Sequence, residues 1–410
     1  MSCSRDHFLE HDSTLARLRK VVAGILSPGQ DGHAVPPSLP SPARRRPTLP
    51  AIVPPQNPTT RKSFASIASA SSSSSSVGTA ADPRLSYVAA LAAGDLSQKF
   101  LALDTSDSDR TRAAIRDDIG HGRWTLRVAR AEHIRNRYSN VLPWDHNRIR
   151  LRVPSQCNDY INASPIVLHA PGLTPHSYIA TQGPTRATVP HFWQMLAAET
   201  SGDTAVIVML TPTHEGHREK CAKYWTESST LGTMYSTTGF QCKLTLCSMH
   251  HDAEANCAVR TFTLDTLDGH IKTVYHLLFD SWGDFATPVP EHEAHLAHLC
   301  ALAHRLNTSA SPLIVHCSAG VGRTGTFVTI DFLLSCINNS TPVSSPILED
   351  DPFLVSSAQV LYPCTTIPTS ADDPIFDTVA MLRTQRMLMV QNITQYAFIY
   401  KILKAALLEP

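Results

Sequence analysis

Residues 314–325 read Ile314-Val315-His316-Cys317-Ser318-Ala319-Gly320-Val321-Gly322-Arg323-Thr324-Gly325, and this stretch decides the fold. It predicts a short apolar strand, then a cysteine, a glycine-rich turn and an apolar helix. The N-terminus of a helix presents unpaired N–H groups and the positive end of a dipole, which bind phosphate oxygens and lower the pKa of a thiol. The stretch therefore predicts a thiolate nucleophile at the base of an oxyanion cradle.

Each residue type in the stretch suits that chemistry. Cys317 supplies the thiolate, which is the nucleophilic form of cysteine. Arg323 carries a planar guanidinium that can bind two phosphate oxygens at once, and Thr324 can donate a hydrogen bond to the sulfur. The intervening residues, most of them small, let the backbone wrap closely around an anion. They are Ser318, Ala319, Gly320, Val321 and Gly322.

Two other interpretations fit parts of the stretch. One is a structural cysteine beside a tight turn, which does not explain the presence of Arg323 and the glycines. Gly320, Gly322 and Gly325 also satisfy the G-x-G-x-x-G pattern of dinucleotide-binding folds. That pattern requires an acidic residue about 20 positions later at the end of a strand, whereas a helix predicted over 326–336 leads into Ser/Pro-rich sequence. The dinucleotide match is therefore attributed to chance.

The stretch resembles the signature loop of protein tyrosine phosphatases, in which a His-Cys pair is followed by five residues and then by Arg-Thr/Ser-Gly. Further segments resemble motifs of the same family in the family's order, so the resemblance covers about residues 95–408. It implies a non-receptor, phosphotyrosine-specific enzyme that works through a phosphocysteine intermediate. It also implies an α/β fold in which α-helices flank a twisted mixed β-sheet, with no cofactor and no metal.

The segment Trp282-Gly283-Asp284-Phe285-Ala286-Thr287-Pro288 resembles the family's tryptophan–proline–aspartate loop. The resemblance implies that Asp284 protonates the leaving tyrosinate, which contributes about 10²–10⁴-fold in rate, and that Trp282 anchors a hinge of the closing loop. Gly283 stands where the family usually has proline and loosens the backbone there. A turn or capping aspartate is the alternative interpretation of Asp284.

Residues 386–396 resemble the family segment that positions the hydrolytic water. Gln391 would hold that water, since a neutral amide orients it without adding charge beside an anion. Gln395 lies one helical turn later and has the same kind of role. Without the rest of the constellation, both glutamines would be interpreted as surface residues.

Residues 136–145 resemble the family's phosphotyrosine-recognition loop. Tyr138 would stack on the substrate ring and form a wall so deep that phosphoserine falls short of the nucleophile. Val141 would line the same slot, and Asn140 would accept a hydrogen bond from the substrate backbone. A half-buried surface tyrosine is the alternative for Tyr138.

Three more residues have supporting roles. By resemblance, Glu215 would orient Arg323 through a charge-assisted pair, and Lys220 could reach Asp284 when the acid loop closes. We expect His316 to be buried, hydrogen-bonded to the backbone and involved in tuning the pKa of the adjacent thiol, without carrying protons.

Composition excludes several classes of protein. The 410 residues include 35 basic and 35 acidic side chains, so net charge favours neither nucleic acid nor a membrane as a partner. The ten cysteines lack paired spacing, and the 20 histidines lack a coherent set of metal ligands. No apolar run is long enough to span a membrane. These features predict a reduced, cytoplasmic setting with nuclear access allowed, and a monomer.

The chain divides by composition. Residues 1–84 are rich in proline and serine and bury too little apolar surface to offset the entropy of ordering, so we expect a disordered tail. Residues 85–410 are predicted to form one catalytic domain. Within it, residues 338–373 turn to Ser, Thr, Pro and acidic side chains and are interpreted as a low-complexity insertion.

The tail contains one motif, Arg44-Arg45-Arg46-Pro47-Thr48-Leu49-Pro50. It satisfies R-x-x-P-x-x-P, which SH3-type domains bind. The same basic-then-apolar run could dock a MAP-kinase-type partner, and a solvated tail without a partner is the alternative.

Two rival functions remain open. A dual-specificity phosphatase would have a shallow pocket, which the Tyr138 loop argues against. A pseudophosphatase would bind phosphotyrosine without turnover, which Gly283 favours weakly and the intact Cys317, Arg323, Asp284 and Gln391 oppose.

Overall fold

The computed structural model describes residues 95–117, 122–170, 174–283, 286–289, 292–308, 311–338 and 373–408. The predicted tail, the proline motif in it, residues 339–372 of the predicted insertion and Asp284 lie outside these described residues.

A mixed eight-stranded sheet forms the centre of the described part, with the order β1-β2-β10-β3-β9-β8-β7-β6. Strands β2, β10, β3 and β9 run parallel, and the remaining neighbours are antiparallel. A separate small hairpin consists of β4 and β5. The strands are β1 Ala163–Leu168, β2 His176–Thr181, β3 Thr204–Met209, β4 His214–Glu215, β5 Arg218–Glu219, β6 Thr233–Thr237, β7 Phe240–Asp252, β8 Cys257–Asp265, β9 Ile271–Leu278 and β10 Leu313–His316.

The two faces of the sheet bury separate cores because strand side chains alternate with a period of two. In β10, Leu313 and Val315 enter one core and Ile314 enters the other. All four residues of β10 are buried, as expected for a parallel strand covered on both faces. The alternation places Cys317 on the Val315 side, among helices that follow it in the chain.

Helices cover both faces, so the predicted α/β class is confirmed. One core includes helix α3, and the other, which we call the main core, includes α1, α4, α5, α6 and α7. None of the helices in the described ranges is long and apolar enough to cross a membrane. The helices are α1 Leu96–Arg116, α2 Arg127–Ala131, α3 Val189–Glu199, α4 Glu293–Leu306, α5 Gly322–Asn338, α6 Pro374–Gln385 and α7 Ile393–Leu408.

Helix α5 starts four residues before the predicted start at Thr326. Gly322 and Gly325 have low intrinsic helix propensity, which made the first turn invisible to periodicity. Their lack of a side chain allows close approach, since a Cβ on Gly325 would lie 2.4 Å from the backbone nitrogen of Val390. Packing therefore sets this helix start, and it brings the first amides of α5 next to the thiol.

Candidate active site

Cys317 lies at the carboxyl end of β10, between the parallel neighbours β2 and β3. The loop from Cys317 to Gly322 curls back so that the Gly320 N–H donates to the sulfur at 3.3 Å. Gly320 has φ +72°, and a Cβ there would lie 2.1 Å from the Thr181 carbonyl oxygen. Both the backbone conformation and the space therefore require glycine at this position.

The environment of the sulfur favours the thiolate. Burial by itself raises the pKa of the Cys317 thiol, but the Arg323 guanidinium and the hydrogen-bond donors of Thr324 and Gly320 outweigh burial and hold that pKa below its ordinary value. The five other buried cysteines that shift do so in the opposite direction, their pKa raised first by burial; they are Cys221, Cys242, Cys257, Cys300 and Cys336. Among these thiols, Cys317 alone is activated, as a nucleophile requires.

Arg323 is held in place by two acceptors. Its Nη1 donates to Glu215 Oε1 at 3.0 Å and to the Trp282 carbonyl oxygen at 2.7 Å. The other Glu215 oxygen lies 3.2 Å from Lys220 Nζ. The structure thus brings Glu215 to Arg323 as the resemblance implied, and Lys220 extends the same ion-pair network. The guanidinium, only 2% exposed, is oriented before any ligand arrives.

The acid loop is described on both sides of its aspartate. Trp282 is fully buried, and its indole N–H donates to the Ala286 carbonyl oxygen at 2.9 Å. The Ala286 N–H reaches back to the Gly283 carbonyl oxygen at 3.4 Å. Trp282 therefore fixes the base of the loop and touches Arg323 through its carbonyl. Asp284 itself lies outside the described residues, so its role stays a prediction.

Tyr138 stands beside the loop. The Ser318 hydroxyl donates to the Lys220 carbonyl oxygen at 2.8 Å, so it accepts from the Tyr138 hydroxyl, also at 2.8 Å. Val141 is buried in the core. Asn140 is exposed and lies on the rim of a surface cavity of about 400 Å³. The tyrosine hydroxyl is thus tied to the loop at the residue that follows the nucleophile.

The two glutamines reach the opposite side of the loop. A Cβ on Gly322 would lie 3.1 Å from Gln391 Oε1 and 3.1 Å from both amide atoms of Gln395. The Gln391 N–H donates to Gln395 Oε1 at 3.0 Å. Gln395 is 1% exposed and supports Gln391 from behind. Their side chains face Gly322 in the first turn of α5, five residues after Cys317.

His316 is neutral and part of a buried chain of hydrogen bonds. Its Nδ1–H donates to the Cys317 carbonyl oxygen at 3.0 Å, so Nε2 accepts from the Tyr224 hydroxyl at 2.7 Å. The hydroxyl in turn accepts from His276 Nε2 at 2.9 Å. Burial lowers the pKa of His316 to about 4. The histidine fixes the peptide plane of the nucleophile and carries no charge at neutral pH.

Arg386 is a supporting residue that the sequence analysis did not single out. Its guanidinium is fully buried and donates to the carbonyl oxygens of Gly320 and Ala319, at 2.9 and 3.2 Å, and to Asn162 Oδ1 at 2.7 Å. Burial lowers its pKa to about 10, so it remains charged at neutral pH. By holding these carbonyls, Arg386 keeps the loop N–H groups turned inward. An arginine in an otherwise apolar run was the available signal.

Arg383 is a second supporting residue that the sequence analysis did not single out, and it holds the strained backbone of residues 388–390. Leu388 and Val390 have φ values of 59° and 60°, unusual for side chains with a Cβ and most of all for a β-branched one. Arg383 donates to the carbonyl oxygens of Met389 and Val390 at 2.9 and 2.7 Å. On the other side, the Leu388 N–H donates to Asp107 Oδ2 of helix α1 at 2.7 Å. These contacts hold the strained segment that leads into Gln391.

Comparison with known proteins agrees with the geometry. The family model of protein-tyrosine phosphatase matches residues 132–348 and 358–405. Tyrosine-protein phosphatase 1 of Saccharomyces cerevisiae is 36% identical over 326 residues, covering 75% of this chain and 92% of the relative. Tyrosine-protein phosphatase 2 of Schizosaccharomyces pombe is 32% identical over 78% of this chain and 40% of the relative. A solved structure concerning the PTPN18 fingerprint on distinct HER2 tyrosine phosphorylation sites superposes with a TM-score of 0.58 at 25% identity, covering 80% of this chain and 99% of that one.

Proposed function

The chain belongs to the protein-tyrosine phosphatase family, and from this premise we propose that it hydrolyses phosphotyrosine in proteins through a phosphocysteine intermediate on Cys317. One observation carries the proposal: among the shifted buried thiols, Cys317 alone has a lowered pKa, and it lies next to a buried arginine with fixed partners. A thiolate and a fixed guanidinium are what in-line attack on a phosphate ester needs.

In the first step the Cys317 thiolate attacks phosphorus and the bond to the tyrosyl oxygen breaks. Asp284, in its acid form, gives its proton to the leaving tyrosinate. Arg323 and the amides of residues 318–323 bind the equatorial oxygens, whose charge they stabilise most in the transition state. Trp282 anchors the acid loop, and its contact with Arg323 couples loop position to the occupied phosphate site.

In the second step water attacks the phosphocysteine, and the sulfur leaves as a thiolate. Gln391 orients the water, Gln395 supports it, and the Asp284 carboxylate takes the proton. Thr324 stabilises the departing thiolate, in keeping with its effect on the pKa of Cys317. Inorganic phosphate is then released and the enzyme returns to its starting charge state.

Selectivity for phosphotyrosine would come from the depth at which Cys317 lies below the entrance of the pocket. Tyr138 is fixed by its hydrogen bond to Ser318, and Cys317 is only 4% exposed. A short phosphoserine side chain would not reach a nucleophile at that depth. This favours a phosphotyrosine-specific enzyme over the dual-specificity rival, with Asn140 contacting the substrate at the entrance and the buried Val141 lining the wall of the slot behind Tyr138.

The cellular setting belongs to the same proposal. We infer a role in cytoplasmic signalling, with the enzyme acting as a monomer on phosphotyrosine proteins and an SH3-type or MAP-kinase-type partner binding residues 44–50. The relatives named tyrosine-protein phosphatases support the substrate class. Deleting residues 44–50 and measuring co-purification with either partner class tests the docking role.

The test of the activity is phosphate release by the full chain from matched phosphotyrosine and phosphothreonine peptides in EDTA, beside Cys317→Ser. We expect turnover of the phosphotyrosine peptide alone and none in the variant. Equal rates on both peptides would contradict the depth argument. Tight phosphotyrosine binding without turnover would instead establish the binding-only rival and direct attention to Gly283.

A further inference from the structure

Three side chains that are distant in sequence meet away from the thiol. His176 begins β2, His304 lies in the last turn of α4, and Asp331 lies in the middle of α5. One ligand atom of each lies within 4.8 Å of the others. Asp331 is nine residues beyond Gly322, which corresponds to roughly 14 Å along the helix. The cluster is therefore separate from the catalytic loop.

The carboxylate at the centre of this cluster is buried and oriented. Asp331 is 2% exposed, and its Oδ2 accepts from the Tyr178 hydroxyl at 2.7 Å. His304 Nε2 lies 3.0 Å from both carboxylate oxygens, so the imidazole edge faces the carboxylate squarely. The rings of His176 and His304 meet edge to face with centroids 5.6 Å apart. His304 thus contacts the fixed carboxylate directly, whereas His176 lies beside it, with Nδ1 3.3 Å from the Tyr178 hydroxyl and Nε2 3.1 Å from the Ser335 hydroxyl.

We propose that His176, His304 and Asp331 bind a zinc ion. Imidazole nitrogen and carboxylate oxygen are zinc ligands at about 2.0–2.2 Å, whereas magnesium and calcium prefer oxygen donors alone. The side chain of His304 is 42% exposed, so it can rotate to bring the donors to bonding distance. Tyr178 holds the carboxylate from behind, as outer partners of metal ligands commonly do. A water molecule would complete a tetrahedral site.

Such an ion would join β2, α4 and α5, the elements that surround β10. It would stabilise the domain without entering the catalytic loop. The competing account is a plain ion pair between a protonated His304 and Asp331. The two accounts differ in one respect that can be measured, because only a metal site needs the imidazole and not merely a positive charge at position 304.

The experiment titrates ZnCl2 into the full chain carrying Cys317→Ser, because the catalytic thiolate would itself bind zinc. Calorimetry should give one site, and Co²⁺ should give visible absorption bands of a tetrahedral ion. His304→Lys keeps a cation for Asp331 but removes the ligand, and it should abolish both signals. Tyr178→Phe should weaken zinc affinity about 10–100-fold. Circular dichroism verifies that each variant is folded.

The matched control replaces the exposed neighbouring pair His250 and His251 by alanine, which should leave zinc affinity unchanged. ZnCl2 should also raise the melting temperature of the parent and not that of His304→Lys. Unchanged zinc affinity in His304→Lys would mean adventitious binding elsewhere and would overturn the proposal. Absence of zinc binding in the parent would overturn it as well, in favour of the ion pair.

Discussion

At the scale of single residues, the reactivity of Cys317 depends on a hydroxyl that has no other function in the described part of the chain. Thr324 is fully buried, and its Oγ1 makes no hydrogen bond of normal geometry with the described residues. Its side chain nevertheless lowers the pKa of the Cys317 thiol, after the larger contributions of burial and Arg323. The hydroxyl is therefore placed to serve the thiolate.

Thr324→Ala should raise the pKa of Cys317. The hydroxyl approaches the thiolate with imperfect geometry, so its loss should cost about 1.5 kcal/mol, the low end for a hydrogen bond to a charged group, which corresponds to about one pH unit. The rate of iodoacetamide alkylation against pH measures the midpoint directly. Thr324→Ser keeps the hydroxyl and should retain the original midpoint. A midpoint that moves equally in both variants would assign the effect to the lost methyl group.

His316 makes the stability of the fold depend on acid pH. Its pKa is lowered by burial from 6.5 to about 4, so between these values the unfolded chain binds the proton and the folded protein does not. The contribution of neutral His316 to the free energy of unfolding is therefore complete above pH 6.5. It falls by roughly 3 kcal/mol as the pH drops toward 4. Urea unfolding at several pH values should show this loss in the wild type and a smaller one in His316→Gln. The same dependence of unfolding free energy on pH in both proteins would show that His316 is not the group responsible.

At the scale of elements, helix α1 and Arg383 both hold the backbone that leads into Gln391, the residue to which we assign the hydrolytic water. Arg383→Met removes the donors to Met389 and Val390 and should let Gln391 drift, which costs about 10–100-fold in phosphocysteine hydrolysis. Formation of the intermediate should change little. Stopped-flow measurement with p-nitrophenyl phosphate should therefore show a burst of p-nitrophenol, as the intermediate forms, followed by slow turnover.

Arg112→Met is the matched control for that variant. Arg112 is exposed on helix α1, and its guanidinium pairs with Asp109 at 2.7 Å. We expect wild-type kinetics and no burst. Equal slowing of both steps in Arg383→Met would show that Arg383 supports the whole loop instead of Gln391.

Sequence predicted the central elements better than the outer ones. Strand β3 is a continuous apolar run, the pattern that predicts a buried parallel strand. Strands β6 to β8 were missed because their exposed edges mix polar and apolar residues. Helix α1 was missed because its middle, residues 104–109, contains Asp, Ser and Thr, which favour caps and turns. Long-range ion pairs override that preference, since Asp104 pairs with Arg383 at 2.7 Å.

The candidate site was predicted from spacing where its residues are adjacent in the chain and missed where only folding brings them together. Cys317 and Arg323 share one loop, so their pattern was visible. Arg386 and Arg383 act by binding backbone carbonyls, and the one signal they leave in the sequence is a charged residue next to an apolar run. The cluster of histidines near Asp331 leaves no signal, because its members come from different elements.

At the scale of the whole molecule, helix α1 extends the domain beyond the match to the family model, which begins at residue 132. It buries Phe100 and Leu103 in the main core. Deleting residues 1–116 should lower the melting temperature by roughly 10–20 °C, since these two side chains correspond to about 5 kcal/mol. Deleting residues 1–94 is the control and should have little effect. Equal melting temperatures for the two truncated chains would show that α1 adds nothing.

The order of strands in the sheet determines when the sheet can be completed during synthesis of the chain. Strands β2 and β3 both pair with β10, yet 103 residues lie between the end of β3 at Met209 and the start of β10 at Leu313. The ribosome adds about 5–20 residues per second, so the edges of β2 and β3 that pair with β10 would stay unpaired for roughly 5–20 seconds during synthesis. Gln391 emerges later still. The nascent chain therefore exposes apolar strand edges before Cys317 and Gln391 are made, and we expect activity to begin only after both have emerged.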